Sequence, residues 1–365
     1  MHIALLAPPW IPVPAPAYGG IEEVVRLLAD GLVDRGHDVT LFAAPDSRSK
    51  AEVRCVLETA HPDEIERARW EADHVARAFA VIDEERFDVV HDHTGFTALA
   101  MADRLATPLV HTLHGPFDDD TRSFYAAHGD KATIVAISAA QLDDAPPALR
   151  DSAVVHNPLR FEDWPLCEEP GEHVLWVGRM APVKGPHRAI RAALDAGVPI
   201  VLAGPVQPGQ EAFFAEDVEP LLDEDGVTYV GEVGADDKAE LYGRARALLM
   251  PIRWAEPFGM VMTEAMACGT PVIAFAEGSA PELIEEGVNG FVVDDEDGMA
   301  RAIGWLDDVD RARCRAYGHE HFGVDASIDG YEQVYRRAIG SPRGGRFTRR
   351  AVARAPVCPP PRAPR

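Results

Sequence analysis

Cysteine is scarce in this chain: there are five in 365 residues, at positions 55, 167, 268, 314 and 358, with no C-x-x-C pair. A scattered, odd set argues against a disulfide framework or a zinc ribbon and reads as reduced, mostly structural thiols in a cytosolic setting. Positive charge is also short, with 35 Lys and Arg against 60 Asp and Glu and a formal net charge of −25. Seven of those cations are arginines in residues 341–365, a stretch without one acid, so the rest of the chain is more acidic still. Nucleic acid is a poor partner for such a surface. Long apolar runs are missing as well. Ile3 to Ile21 carries no charge, but Pro8, Pro9, Pro12, Pro14 and Pro16 break any apolar helix there and no basic segment precedes it. The stretch reads as a strand, a Pro-rich loop ending in Gly19-Gly20, and a helix, not as a leader peptide. Elsewhere no charge-free run reaches the ~20 residues of a membrane span. A metal-ligand set is missing too. His91 and His93 would share one face of an extended strand, yet nothing completes a set at an established spacing.

What the chain does have is a regular alternation of short apolar runs with amphipathic stretches. Its length suits two domains of ordinary size, and 47% apolar residues is the content of a globular protein. Strands are predicted at 2–7, 38–43, 87–91, 108–113, 132–137 and 152–156, then at 173–178, 199–203, 227–230, 247–250, 271–275 and 290–293. Helices are predicted at 21–35, 62–85, 185–196, 236–246 and 259–268, with a last one near 325–339 bearing Ile328, Tyr331 and Tyr335 on one face. Two such series imply two doubly wound parallel sheets with ligands at the carboxyl ends of their strands. The expected division is an N-terminal domain over 1–157, a linker over 158–171, a second domain over 172–324, a terminal helix over 325–340 and a basic, Pro-rich tail over 341–365.

The most informative segment is Trp254-Ala-Glu256-Pro257-Phe258-Gly259-Met260-Val-Met-Thr-Glu264. On one continuous helix, residues eight apart would lie about 12 Å apart along the axis and could not share a small ligand. Pro257 instead favours a helix that begins just after Glu256, which leaves Glu256 in the loop and Glu264 in the second turn. The amides of Phe258, Gly259 and Met260 are then free at the helix start, and carboxylates suit a vicinal diol. Taken alone, the pattern equally fits an amphipathic helix with a solvated glutamate at its start. Upstream, Arg179 follows an apolar strand and a glycine, and Lys184-Gly185 opens the next helix. Two such cations beside a helix N-terminus would stabilise a departing diphosphate; alone, they are also a plausible pair of surface cations.

Glu256-Pro-Phe-Gly with Glu264-Ala-Met-Ala-Cys-Gly-Thr-Pro-Val resembles the donor-site signature of retaining glycosyltransferases of the family 4 type (glycosyl transferases group 1), which have the GT-B fold. Val177-Gly178-Arg179-Met-Ala-Pro-Val-Lys184-Gly185 resembles the family's diphosphate-binding loop, and Gly278-Ser-Ala-Pro281-Glu282 onward resembles the stretch that closes the nucleotide domain. These elements stand in family order over roughly residues 1–339. The resemblance implies an α/β GT-B fold: two facing Rossmann-like domains with a donor cleft between them, the last helix crossing back onto the first. It implies a hexosyltransferase-like enzyme that moves a sugar from a nucleoside-diphosphate sugar to an acceptor hydroxyl with retention and no required metal. Arg179 and Lys184 would hold the diphosphate, Glu264 the ribose, and Glu256 with the Phe258, Gly259 and Met260 backbone the sugar. Gly19 and Gly20 would lie near the donor phosphates, although a plain flexible turn is the simpler reading of the pair. His114 would hydrogen-bond a sugar hydroxyl; His111 and His114 both end a strand, and either could instead be a core histidine. His156-Asn157-Pro158-Leu159 departs from the family pattern, which has a glycine after the asparagine.

Two other functions fit the same fold, a nucleotide-sugar epimerase or hydrolase and a catalytically silent nucleotide-sugar-binding protein. Neither donor base nor acceptor leaves a side-chain signature. The basic tail reads as disordered, or as an electrostatic tether giving peripheral contact with the inner face of an anionic membrane.

Overall fold

A computed structural model describes residues 1–15, 19–65 and 67–340. The tether reading of residues 341–365, and part of the Pro-rich loop before Gly19, lie outside the described residues.

The first half forms a seven-stranded parallel sheet of β1 (His2–Leu6), β2 (Asp38–Phe42), β3 (Glu52–Arg54), β4 (Val89–Asp92), β5 (Leu109–Thr112), β6 (Thr133–Ala136) and β7 (Ala153–Val154), ordered β3-β2-β1-β4-β5-β6-β7. The second half forms a six-stranded parallel sheet of β8 (Val174–Val177), β9 (Ile200–Ala203), β10 (Val227–Tyr229), β11 (Leu248–Met250), β12 (Val272–Phe275) and β13 (Gly290–Val293), ordered β10-β9-β8-β11-β12-β13. Strand order reverses between β1 and β4 and again between β8 and β11. A crevice opens at each reversal, at the carboxyl ends of the strands.

The sheets are buried on both faces, which is why their strands read as unbroken apolar runs. Ile3 and Leu5 of β1 pack against Val25, Leu28 and Leu32 of the helix Gly20–Asp34, while Ala4 and Leu6 face Val75, Phe79 and Ile82 of the helix Ala68–Glu85. The helix Val324–Gly340 lies on the first of these cores, not on the second sheet that precedes it in sequence. Its Ile328, Tyr331 and Tyr335 are fully buried there, each contributing on the order of 1.5–3 kcal/mol by burial.

Between the sheets, the chain is fastened to the second half by two arginines of the helix Arg311–Phe322. Arg311 donates to the carbonyls of Cys167, Ala245 and Gly243 and to the Thr270 hydroxyl, and Arg315 donates to the carbonyls of Phe161, Trp164 and Ala267. Leu159 donates to the Phe322 carbonyl at 2.8 Å. No residue from 156 to 159 adopts a positive φ. The turn therefore does not require the family's glycine, and Pro158 fits in its place.

Every strand expected from the sequence is present, its ends within two residues. β3, a three-residue edge strand, was not anticipated. The helix expected over 62–85 begins at Ala68, and Pro62–Glu64 is a separate single turn.

Candidate active site

The residues singled out in the second half gather at the β8/β11 reversal. Arg179 and Lys184 lie in the connection from β8 to the helix Pro186–Asp195, and Glu256 lies in the connection from β11 to the helix Met260–Ala267. The Lys184 ammonium contacts Glu256 Oε2 and sits 4.6 Å from the centroid of the Trp254 ring. The Trp254 indole N–H donates to the same carboxylate oxygen at 3.0 Å. With side-chain exposures of 19% and 13%, this is a sheltered pair, screened less than a surface salt bridge. Arg179 is exposed and donates to Gln207 Oε1 at 3.2 Å.

The helix expected over 259–268 is present, one residue shorter at each end, with Pro257 in the loop before it. It begins at Met260, and Gly259 precedes it with φ of 77°, a left-handed conformation that glycine tolerates without strain. A turn that reverses at Gly259 cannot continue the helix from Pro257, so Glu256 and Glu264 are separated by a bend. The backbone N–H groups of Phe258, Gly259 and Met260 find no backbone acceptor among the described residues. The Phe258 side chain is in the core beside His156 and Phe322, so it serves the site through its backbone alone. Gly278, with φ of 54°, and Ser279 buttress the Glu256 loop. A Cβ on Gly278 would meet Glu256 backbone atoms at 2.5 Å, and Ser279 donates from its N–H to the Glu256 carbonyl and from its hydroxyl to the Phe258 carbonyl.

Glu264 is held separately. Lys238 Nζ is 2.6 Å and the Tyr242 hydroxyl 2.9 Å from its Oε2.

In the first half, His111 is a core residue. Its ring nitrogens meet Asp92 at 2.7 Å and the Tyr125 hydroxyl at 2.9 Å. His91 is likewise committed, at 2.7 Å to the Tyr335 hydroxyl and 2.8 Å to the Thr112 hydroxyl, which leaves it no nitrogen for a metal. His114 is partly exposed and pairs with His93 at 2.8 Å. Burial, reinforced by His111, pushes the His114 pKa down to about 4, so its imidazole is neutral at physiological pH. Gly19 and Gly20 open the helix Gly20–Asp34. A narrow interdomain cavity joins the two halves, lined by Pro116, Phe117 and Gln141 on one side and by Glu256, Pro257 and Gly278 on the other. Among the described residues, no hydrogen bond or ion pair links His114 or the glycine pair directly to Arg179, Lys184 or either glutamate.

A second interdomain contact is a clasp. Glu282 accepts from the backbone N–H groups of Ala139 at 2.8 Å and Ala140 at 3.3 Å, and lies 2.7 Å from His156 Nε2. Burial pushes this carboxyl up, but the His156 hydrogen bond and the Ala139 amide outweigh it and hold the group below its ordinary range. Trp254, Lys238, Tyr242, Gln207 and the clasp partners were not anticipated. Trp254, Glu282 and His156 stood inside sequence motifs without an assigned role, whereas Tyr242 and Lys238, four apart on a predicted helix, had only the spacing of any helix face.

Two facing doubly wound domains with cations and carboxylates at the reversal of the second sheet define a GT-B architecture. Comparison with known proteins agrees. The family described as "Glycosyltransferase Family 4" matches residues 18–156, and "Glycosyl transferases group 1" matches residues 165–321. The chain is 30% identical over 327 residues to the D-inositol 3-phosphate glycosyltransferase of Mycobacterium tuberculosis, covering 73% of this chain and 65% of that protein. It thus spans somewhat under two thirds of the curated relatives it matches. Among solved structures it is similar to AviGT4, a glycosyltransferase involved in avilamycin A biosynthesis, with a TM-score of 0.68, 25% identity, and 93% and 98% of the two chains covered. It has the same fold as Anabaena HepE in complex with UDP, with a TM-score of 0.71, 23% identity, and 92% and 100% covered. The chain belongs to the GT-B glycosyltransferases of the group 1, family 4 type.

Proposed function

We propose that this protein transfers a sugar from a nucleoside-diphosphate sugar to an acceptor hydroxyl, with retention at the anomeric carbon and without a bound metal. The observation that carries this reading is the Lys184–Glu256 contact at the β8/β11 reversal, in the loop that leads to the Gly259 and Met260 amides, which find no backbone acceptor among the described residues. A cation, a carboxylate and free helix-start N–H groups suit the diphosphate and hydroxyls of such a donor. The UDP complex of HepE supports the donor class, and the glycosyltransferase name of the mycobacterial relative supports the reaction.

Arg179 and Lys184 stabilise charge on the departing diphosphate, where preorganised cations are most effective. Glu256, with the Phe258–Met260 backbone, orients sugar hydroxyls, Glu264 holds the ribose, and neutral His114 hydrogen-bonds a sugar hydroxyl. In the free protein Lys184 is neutralised by Glu256, so the incoming diphosphate shares that ammonium and loosens the carboxylate toward the sugar. The bond from the anomeric carbon to the phosphate oxygen breaks as the acceptor oxygen bonds to the same face. The acceptor proton passes to the leaving phosphate oxygen, so neither glutamate acts as general base. Four free thiols, Cys55, Cys167, Cys268 and Cys314, support a reducing, cytoplasmic setting, with any membrane contact peripheral. No helix among the described residues is long and apolar enough to cross a membrane.

A thermal-shift panel of UDP-, GDP- and ADP-sugars tests the donor class, since a ligand that binds only the folded state raises Tm. One class is expected to stabilise the protein, and acceptor-dependent release of the diphosphate is expected to follow. Absence of a shift with every donor would refute the reading. Full donor turnover without an acceptor would replace it with a hydrolase or epimerase.

A further inference from the structure

The two signature glutamates are held in the same way, by different elements. On Glu256, Oε2 takes both the Lys184 ammonium and the Trp254 indole N–H. On Glu264, Oε2 takes both the Lys238 ammonium and the Tyr242 hydroxyl. In each case a lysine and an aromatic donor occupy one oxygen, and Oε1 has no hydrogen-bond partner among the described residues. The Glu264 clamp comes from a neighbouring element: Lys238 and Tyr242 sit one turn apart on the helix Ala235–Arg244, and Glu264 on the helix Met260–Ala267. The pair is sheltered, with side-chain exposures of 19% for Lys238 and 12% for Glu264. The Tyr242 ring is fully buried, edge-on to Trp164 at 6.0 Å between centroids, so its hydroxyl is a fixed donor.

We propose that Lys238 and Tyr242 are donor-positioning residues, which fix Glu264 through Oε2 so that Oε1 is presented to the ribose edge of the nucleotide. The proposal rests on the reading of Glu264 as the ribose carboxylate. A glutamate held at one oxygen has already lost the rotamer freedom that binding would otherwise cost. Lys238 has a second effect. It neutralises a sheltered carboxylate that would otherwise repel an incoming nucleoside diphosphate. The clamp therefore acts on recognition of a ribose hydroxyl, and only indirectly on the reacting centre.

The test measures binding of UDP, GDP and ADP by calorimetry and takes the tightest of the three, together with its 2′-deoxy and 3′-deoxy analogues, to wild type and to Glu264→Gln, Tyr242→Phe, Lys238→Met and Lys238→Arg. Tyr242→Phe keeps the buried ring, so folding is retained, and thermal melts check it. Wild type is expected to prefer the ribonucleotide. Tyr242→Phe and Lys238→Met are expected to weaken the ribonucleotide about tenfold, the size of one lost hydrogen bond to a charged group. They are expected to weaken the responsible deoxy analogue about twofold at most, and Lys238→Arg is expected to recover most of the loss. Donor KM rises in step with Kd while kcat stays near wild type. Equal losses for the ribo and deoxy forms would overturn the proposal, because a purely structural role cannot see one hydroxyl. If Glu264→Gln abolishes the ribo preference but the Lys238 and Tyr242 variants retain it, the positioning role alone fails. If Glu264→Gln leaves the preference intact, or no diphosphate binds, the underlying reading of the donor site fails instead.

Discussion

His74 gives a sharp test of the electrostatics in the first domain. It is fully buried on the helix Ala68–Glu85, and neither ring nitrogen meets a well-formed hydrogen-bond partner among the described residues, the Ala7 backbone being a weak one. Burial pushes its pKa down to about 4; the charges of Asp92 and Asp73 and the Ala7 backbone pull the other way and are outweighed. In the unfolded chain a histidine titrates near 6.5. Between the two values the unfolded state carries a proton that the folded state refuses. Folding stability therefore falls as pH drops from about 6.5 toward 4, and levels off below. The full separation is worth about 3 kcal/mol, of which about 2 kcal/mol is lost by about pH 5. His74→Leu removes the titration and also two unsatisfied polar atoms, at similar volume. Urea unfolding of both proteins, at about pH 7.5 and about pH 5, should show wild type losing about 2 kcal/mol more than the variant. The difference of differences cancels both the packing change and the other histidines. Parallel losses, within about 0.5 kcal/mol of each other, would refute the account.

Three further outcomes follow from the contacts described. Glu256→Ala and Lys184→Ala should each reduce turnover by at least about a hundredfold with Tm within a few degrees of wild type, since each removes a group that the proposed mechanism sets against the donor; near-normal rates in both would remove the assignment. Glu282→Ala deletes the acceptor of the Ala139 and Ala140 amides and the His156 partner, so small-angle scattering should show a wider spread of interdomain geometries, and kcat/KM should fall about tenfold through lost alignment of the two halves. Arg311→Met strands the carbonyls of Cys167, Ala245 and Gly243, and should destabilise the second domain by at least about 3 kcal/mol in thermal or denaturant melts.

Much of the fold is legible because parallel strands are buried on both faces. Runs such as Ile3-Ala-Leu-Leu6 and Val272-Ile-Ala-Phe275 admit few other readings, and the alternation with helices fixes the doubly wound class. β3 escaped because Glu52-Val-Arg54 is a short, half-exposed edge strand with charges at both ends, and its pairing with β2 is set by the sheet and not by its own composition. The helix after Glu256 was legible to within a residue, but the path of the loop leading into it was not, because Gly278 and Ser279, some twenty residues on, press against that loop.

The candidate site divides along the same line. Arg179, Lys184, Glu256 and Glu264 were visible because each lies in a contiguous motif. Their partners were not, because Lys238 and Tyr242 reach Glu264 only through the side-by-side packing of two helices that the whole domain sets in place. Lys238 reads in sequence as an ordinary solvated cation, one of a charged Asp-Asp-Lys-Ala-Glu stretch, and Tyr242 as a core aromatic. Only the fold makes the two a single clamp on Glu264 Oε2. It follows that variation at positions 238 and 242 should alter donor affinity while every motif residue stays unchanged, so intact signature glutamates alone do not fix how tightly the nucleotide is held.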